Sequence, residues 1–379
     1  MHICLVSEHF HKRPGGPRTA CLGLARGFNQ LGHHVSLISI MAHENTREAL
    51  PGGGEARIRR YGWKLIPVSM GRGRFYAREI TRIHKERPID VVLAQGWEAA
   101  DAAQPFCSKH GVPWLLNPRS CSKDRPGNWR NIRAQRFFDA SNGMIAISEY
   151  AAADWRTNLA RPQGSIVAAL NGVDPGILEG PVEAPFTVPE TPIILSMGGL
   201  RPGKGHHWIA RALAGVHEDF RWVIAGDGRE ADNLKAQVSK LGLSPRTIFT
   251  GNVEGAHWRW LYRNAAIFTL FPVYPEACGN AYLEAQAAGL PIVASNAGAL
   301  PEVTSPQSAL LIDVSNMRDE GRVIGQLREA YSRLLADPAL RASMGAAGKN
   351  RIAGMTWKAC ARKYLAATPL YVPGAPAPD

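Results

Sequence analysis

Short apolar runs recur along the chain, separated by segments in which apolar residues follow helical spacing. The first run, His2 to Ser7, has the length of a buried strand. Thr19 to Leu31 then places apolar residues on one helical face, Gly32 follows it, and His34 to Ile40 forms a second apolar run. A strand, a glycine-containing loop, a helix and a strand in this order predict a parallel α/β unit.

The same alternation predicts strands and helices along the rest of the chain. Further strands are predicted at residues 90–94, 114–117, 144–147, 193–197, 222–226, 247–250, 266–271, 291–295 and 310–313. Helices are predicted at residues 281–288, 320–335, 338–352 and 356–367. Because 379 residues are too many for one ordinary hydrophobic core, we predict an α/β protein with two doubly wound, Rossmann-like domains.

The boundary between the two predicted domains is residues 175–192, a proline-rich segment without a periodic pattern. It separates an N-terminal domain, residues 1–174, from a C-terminal domain, residues 193–352. Residues 353–379 contribute a last helix and a loose proline-rich tail. Ligands of doubly wound domains bind outside the carboxyl ends of the parallel strands, so we expect the glycine-rich turns of both domains to face a central cleft.

Charge is distributed unevenly along the chain. Residues 1–170 hold 24 Lys and Arg against 13 Asp and Glu, whereas the remainder is nearly balanced. Residues 57–87 are the densest basic segment, with Trp63, Phe75 and Tyr76 interleaved. Basic and aromatic residues together favour docking on an anionic membrane or a phosphorylated acceptor, and the alternative is a solvated basic face. The cations predicted to make this contact are Arg72, Arg74, Arg78 and Arg82.

The compartment is predicted from the N-terminus, the hydropathy and the cysteines. Met1 to Phe10 has no basic region ahead of an apolar one, and no apolar run approaches a membrane span. None of the six cysteines forms a C-x-x-C pair, so they are interpreted as reduced thiols. We therefore expect a cytoplasmic protein, peripheral on the inner face of the cytoplasmic membrane if the basic segment docks there.

The most informative stretch is residues 275–291, PEACGNAYLEAQAAGLP. A strand, a tight turn, a helix and a strand are predicted here, with Glu276 in the turn and Glu284 on the helix. The first turn of a helix has unpaired N–H groups and a partial positive charge. Small residues allow an anionic or oxygen-rich ligand to approach these groups. The N–H groups concerned are those of Gly279, Asn280 and Ala281.

Two simpler interpretations apply to this stretch. The two glutamates could be solvated side chains of an ordinary strand–loop–helix. Cys278, inside the turn, could be a nucleophile, but a small space-filling residue beside the ligand is the favoured interpretation.

A second glycine-rich turn, residues 198–205 (GGLRPGKG), follows the predicted strand 193–197. Its Arg201 and Lys204 suit a pyrophosphate, although the spacing is not that of a P-loop. The alternative is two surface cations. His206 is interpreted as a packing residue at the start of a helix rather than as a base.

The run PVYPEACGNAYLEAQAAGLPIVASNAGALPEV, residues 272–303, resembles the donor-site signature of the retaining GT-B glycosyltransferases of family 4. It is particularly similar to the bacterial lipopolysaccharide-core enzymes. The resemblance implies that Glu276 contacts the donor sugar and Glu284 the ribose of the nucleotide. Residues 198–205 are also similar to the G-x-L-x-x-x-K-G segment of the family.

The resemblance extends to other segments of the chain. It implies that Gly15 and Gly16 face the donor phosphates, although they do not fit a dinucleotide fingerprint. It implies that Asn252 and Val253 hold the nucleobase through their backbone. The N-terminal domain would bind the acceptor, and the last helix would return to that domain. One departure is Asn117-Pro118-Arg119-Ser120, where many relatives have a histidine; Arg119 is predicted to contact a sugar or a phosphate instead.

The implied reaction is transfer of a sugar, with retention, from a nucleotide diphosphate sugar to a hydroxyl of a glycan or glycolipid in bacterial cell-surface polysaccharide synthesis. UDP-glucose is favoured as donor, with GDP-mannose as the alternative. No cofactor and no metal are expected, because the sequence has no Asp-x-Asp motif and Arg201, Lys204 and the helix amides can stabilise the leaving diphosphate.

Two rival functions are compatible with the sequence. A sugar-nucleotide epimerase could use the same fold. A nucleic-acid-binding protein would explain the basic charge but not the two glutamates and the two glycine-rich turns, so no nucleic-acid partner is expected.

Overall fold

The computed structural model describes residues 1–7, 15–39, 46–58, 72–122, 129–159, 166–174 and 176–370. The chain divides into two compact units. Unit 1 contains Met1–Gly172 and Met355–Asp379, and unit 2 contains Val173–Gly354. The chain therefore leaves unit 1 for unit 2 and returns to unit 1 at its end.

Unit 1 is built on a sheet with the strand order β3-β4-β2-β1-β5-β6-β7-β8. Every neighbouring pair is parallel except β3 and β4. The strands are β1 (His2–Ser7), β2 (His34–Ser39), β3 (Thr46–Ala49), β4 (Glu55–Ile58), β5 (Val91–Gln95), β6 (Trp114–Asn117), β7 (Met144–Ala146) and β8 (Ile166–Ala168).

The helices of unit 1 cover its sheet and include the last helix of the chain. They are α1 (Gly16–Asn29), α2 (Arg72–Glu86), α3 (Trp97–His110), α4 (Trp129–Ala140), α5 (Glu149–Asn158) and α13 (Trp357–Ala366). A Cβ atom on Gly23 of α1 would lie 2.1 Å from the Trp357 ring, and one on Gly27 would lie 2.3 Å from the Trp357 carbonyl oxygen. Two glycines one turn apart therefore let α13 pack directly against α1.

Unit 2 has a wholly parallel sheet with the order β11-β10-β9-β12-β13-β14. Its strands are β9 (Ile193–Met197), β10 (Arg221–Ala225), β11 (Thr247–Gly251), β12 (Ile267–Leu270), β13 (Ile292–Ser295) and β14 (Ala309–Ile312). Its helices are α6 (His206–Leu213), α7 (Ala231–Lys240), α8 (Gly255–Asn264), α9 (Asn280–Ala288), α10 (Leu300–Val303), α11 (Glu320–Ala336) and α12 (Pro338–Ile352).

The predicted doubly wound α/β architecture is confirmed. The sequence pattern missed β3, β4 and β8, because β3 and β4 have only four residues each, with charged residues among them, and β8 has only three residues. Among the helices that the structure describes, none has both the length and the apolar composition needed to cross a bilayer.

Candidate functional site

The loops that follow the strands of unit 2 meet along the carboxyl edge of its sheet. The Gly198 N–H donates to the Ala225 carbonyl at 2.9 Å, and the Gly226 N–H donates to the Gly251 carbonyl at 2.7 Å. A Cβ on Gly226 would lie 2.0 Å from the Gly198 oxygen, so only glycine allows this backbone approach. The edge therefore places the turn after β9 beside the loops after β10 and β11.

Lys204 and Glu276 form the charged centre of this edge. Lys204 Nζ lies 2.6 Å from Glu276 Oε2, and both side chains are mostly buried. Burial acts to lower the pKa of Lys204, but the Glu276 carboxylate and the Tyr274 phenol outweigh burial and raise that pKa. Lys204 is therefore a protonated cation at neutral pH.

The backbone of Glu276 is fixed by the loop that follows β13. Glu276 bridges Gly298, and its carbonyl accepts the Ala299 N–H at 2.8 Å. Gly298 has φ +67°, and a Cβ there would lie 2.5 Å from the Glu276 nitrogen. A side chain at residue 298 would push Glu276 away from Lys204, so this glycine positions the carboxylate.

Helix α9 begins beside this pair. Gly279 precedes it with φ +79°, and a Cβ there would lie 2.6 Å from the Tyr282 ring. The first N–H groups of α9 are therefore presented without a side chain at the cap. Cys278 is buried, which fits the interpretation of a space-filling residue.

Glu284 lies one turn along α9 and accepts a hydrogen bond from the Tyr262 hydroxyl at 2.8 Å. Burial raises the pKa of Glu284, and the Tyr262 hydrogen bond only partly offsets this effect. The hydroxyl holds one carboxylate oxygen, which fixes the direction of the side chain.

The other predicted residues of unit 2 lie along the same edge. Arg201 is exposed, in contrast to Lys204. Asn252 is exposed and Val253 half-buried, directly after β11. His206 is buried at the start of α6, where burial lowers its pKa to about 4, and it fits a packing residue.

The predicted site residues of unit 1 lie on two segments that are distant from each other in the sequence. Gly15 and Gly16 are exposed at the start of α1. Arg119 follows β6 and donates from Nη1 to Gln95 Oε1 at 3.0 Å.

The structure revises the picture of the basic segment. Tyr76 is buried in the core of unit 1, so it cannot make an interfacial contact. Arg57 is nearly buried and pairs with Glu86 and Glu55, and Arg82 pairs with the buried Glu79 at 3.1 Å. Arg78 is exposed. The side chains of Trp63, Arg72, Arg74 and Phe75 lie outside the described part of the chain.

Tyr274 is a site residue that the sequence analysis missed. Its side chain is 40% exposed, and Lys204 Nζ lies 5.8 Å from its ring centre. Gly203 has φ +81°, and a Cβ there would lie 2.4 Å from the ring. Tyr262 and Gly298 were missed as well. The sequence shows an aromatic residue two positions before Glu276, but it does not show the contact with Lys204 that makes Tyr274 a site residue.

Two family models match the chain. The model described as "Glycosyltransferase Family 4" matches residues 14–176, and the model described as "Glycosyl transferases group 1" matches residues 183–351.

Curated relatives include glycosyltransferases from an archaeon and from bacteria. An uncharacterized glycosyltransferase, MJ1607, of Methanocaldococcus jannaschii is 25% identical over 80% of this chain and 82% of its own length. The GDP-mannose-dependent alpha-(1-6)-phosphatidylinositol monomannoside mannosyltransferase of Mycobacterium tuberculosis is 25% identical over 72% and 71%. The lipopolysaccharide core biosynthesis glycosyltransferase LpsE of Rhizobium meliloti is 28% identical over half of each chain.

Solved structures share the whole fold. Sucrose-phosphate synthase of Thermosynechococcus elongatus has a TM-score of 0.81 at 19% identity, covering 96% of this chain and 97% of its own. Anabaena HepE in complex with UDP and glucose has a TM-score of 0.74 at 17% identity, covering 97% and 98%.

Proposed function

The chain belongs to the family 4 glycosyltransferases, and on that premise we propose that it transfers a sugar, with retention, from a nucleotide diphosphate sugar to a hydroxyl of a glycan or glycolipid. The observation that carries the proposal is the Lys204–Glu276 pair beside the start of α9. A cation, a carboxylate and the N–H groups at the start of a helix in one place suit a ligand with a diphosphate and sugar hydroxyls.

We assign the diphosphate to Lys204, Arg201 and the N–H groups at the start of α9. Charge develops on the leaving diphosphate as the glycosidic bond breaks, and fixed donors aimed at that charge lower the barrier. Lys204 is already protonated and held by Glu276 and Tyr274, so it needs little reorganisation. We expect no metal requirement, because these cations and amides supply the positive charge.

We assign hydroxyl groups of the donor to the two glutamates. Glu276 accepts from hydroxyls of the transferred sugar, and its contact with Lys204 holds it in place. Glu284 accepts from the ribose hydroxyls, with Tyr262 holding its second oxygen. Asn252 and Val253 follow β11 at the same edge and would contact the nucleobase.

The proposed chemistry is a front-face displacement. The bond between the anomeric carbon and the diphosphate oxygen breaks, and the acceptor oxygen bonds to the same face of that carbon. The acceptor proton passes to the leaving diphosphate, which supplies the base. The protein contributes orientation and charge stabilisation rather than a covalent intermediate.

The donor and the acceptor are proposed from the comparisons. HepE was solved with UDP and glucose, which supports a UDP-sugar such as UDP-glucose. The mycobacterial relative is named for GDP-mannose, which keeps that donor as the alternative. LpsE is named for lipopolysaccharide core biosynthesis, which supports a cell-surface glycan acceptor.

A thermal-shift screen with UDP, GDP, UDP-glucose and GDP-mannose tests the donor assignment, since a ligand of the folded state raises Tm. We expect one diphosphate and its sugar conjugate to raise Tm. If none of the four ligands changes Tm, a nucleotide-sugar site is contradicted. Release of free nucleotide only when an acceptor is added would argue against an epimerase.

A further inference from the structure

Unit 1 contains an arginine in an unusual backbone conformation at the carboxyl edge of its sheet. Arg119 has φ +56°, and it is the one non-glycine residue with positive φ in the described part of the chain. This conformation is unfavourable for a side chain with a Cβ, and it persists where the surrounding contacts fix it. Such residues cluster at ligand-binding sites.

Contacts to neighbouring strands hold Arg119 in place. Its N–H donates to Asn117 Oδ1 at 2.9 Å, and its Nη1 donates to Gln95 Oε1 at 3.0 Å. Gln95 and Asn117 are register partners at the ends of β5 and β6. Asn117 is 1% exposed and also donates to the Tyr364 hydroxyl of α13. Gln95 therefore holds the guanidinium, and Asn117, itself bonded to α13, holds the backbone of Arg119.

Gln95 and Arg119 have side-chain N–H donors that no described residue accepts from. An arginine donates only, so the oxygen of the Gln95 amide must face Arg119. The Gln95 Nε2 group is then left buried, with no hydrogen-bond partner among the described residues. Within the same residues the Arg119 guanidinium makes no ion pair and no hydrogen bond other than that to Gln95. Described arginines of unit 1 that do pair with carboxylates are Arg18, Arg47, Arg57, Arg82, Arg133 and Arg156.

We propose that Arg119 and Gln95 form an oxyanion site that binds a phosphate or carboxylate group of a substrate. The guanidinium fork matches two oxygens of one anionic group, and the Gln95 amide adds a neutral donor. An uncompensated, half-buried cation favours an anion over a neutral hydroxyl. The oxyanion is an acidic group of the acceptor. In that sense the inference rests on the proposed function and deepens it.

Replacing Arg119 by glycine gives a sharp test, because glycine adopts positive φ without strain. The relieved strain opposes the loss of the Gln95 hydrogen bond, so we expect the Tm of Arg119→Gly to stay near that of wild type. Arg119→Lys keeps the charge without the fork and should be intermediate in binding. Arg47→Gln removes one exposed charge from an edge strand of the same unit and is the matched control.

Calorimetry with the full chain would compare each oxyanion probe with its neutral counterpart. The oxyanion probes are glucose 6-phosphate and glucuronate, which separate a phosphate from a carboxylate, and glucose is their neutral counterpart. We expect Arg119→Gly to lose at least about tenfold in affinity for one oxyanion probe and little for its neutral partner, with Arg47→Gln unchanged. The oxyanion probe that responds identifies the acidic group.

Two results would overturn the inference. In the first, wild type binds every oxyanion probe no more tightly than its neutral counterpart. In the second, a folded Arg119→Gly variant binds all of these probes as tightly as wild type does. If such a variant also transferred sugar normally, the inference would fail while the proposed function stood.

Discussion

Replacing Lys204 by alanine tests the diphosphate assignment at its centre. The variant loses the cation proposed to contact the diphosphate. Hydrogen bonds to charged groups contribute about 1.5–3 kcal/mol. The affinity for UDP should therefore fall by roughly 10- to 150-fold, while that for uridine changes little.

The Lys204–Glu276 contact adds a second, more specific expectation. In Lys204→Ala, the Glu276 carboxylate loses its 2.6 Å partner and faces the diphosphate with its charge uncompensated. Like charges at this range repel, which deepens the loss. Changing Glu276 to glutamine in the same molecule removes that charge. The double variant should therefore bind UDP more tightly than Lys204→Ala alone, a non-additivity expected of residues in contact.

Isothermal titration calorimetry of wild type, both single variants and the double variant, with UDP and with uridine, measures these terms. Glu329→Gln, an exposed carboxylate on α11, controls for loss of one negative charge. Equal losses for UDP and uridine in Lys204→Ala would refute the diphosphate contact. A double variant that binds UDP no better than Lys204→Ala would refute the electrostatic coupling.

Three further predictions follow from other parts of the molecule. Burial raises the pKa of Glu284, so ionisation of this carboxyl destabilises the folded protein as the pH rises through the folded pKa. Glu284→Gln should therefore raise Tm more at pH 8 than at pH 4, while weakening nucleoside binding. An equal Tm change at both pH values would contradict this prediction. Sugar transfer should survive EDTA; loss on chelation and recovery with magnesium or manganese would reverse the proposed metal independence. In liposome co-sedimentation, wild type should bind anionic but not neutral vesicles and detach at high salt, and a variant with Arg72, Arg74, Arg78 and Arg82 changed to glutamine should bind less. Arg82 should contribute little to this binding, because it pairs with Glu79. Equal binding of the two proteins would make α2 a solvated basic face.

Local sequence was sufficient to predict much of the fold and the start of the site. The residues from β12 through α9 to β13 carry their own turn and helix signals, so the place of Glu276 ahead of α9 and the end of α9 at Gly289 were predictable. The doubly wound architecture followed from the same alternation of strands and helices.

Contacts between distant residues could not be predicted in this way. Lys204 meets Glu276 across 72 positions, and Tyr262 meets Glu284 across 22. Hydrophobic periodicity carries no information about such pairs. The same limit explains why the environments of Arg57 and Tyr76 were not predictable. In the sequence both belong to a basic segment with interleaved aromatic residues. In the fold, carboxylates surround Arg57 and the core of unit 1 buries Tyr76.

The role of Glu276 is tested most directly by the turnover of Glu276→Gln with the donor that the thermal-shift screen identifies. Nucleotide release would be followed for wild type, Glu276→Gln and the Glu329→Gln control, with Tm confirming that each protein is folded. We predict a loss of more than about tenfold in kcat for Glu276→Gln, equivalent to ~1.4 kcal/mol of transition-state stabilisation, and no loss for the control. Near-normal turnover in folded Glu276→Gln would contradict the assignment of this carboxylate to the transferred sugar.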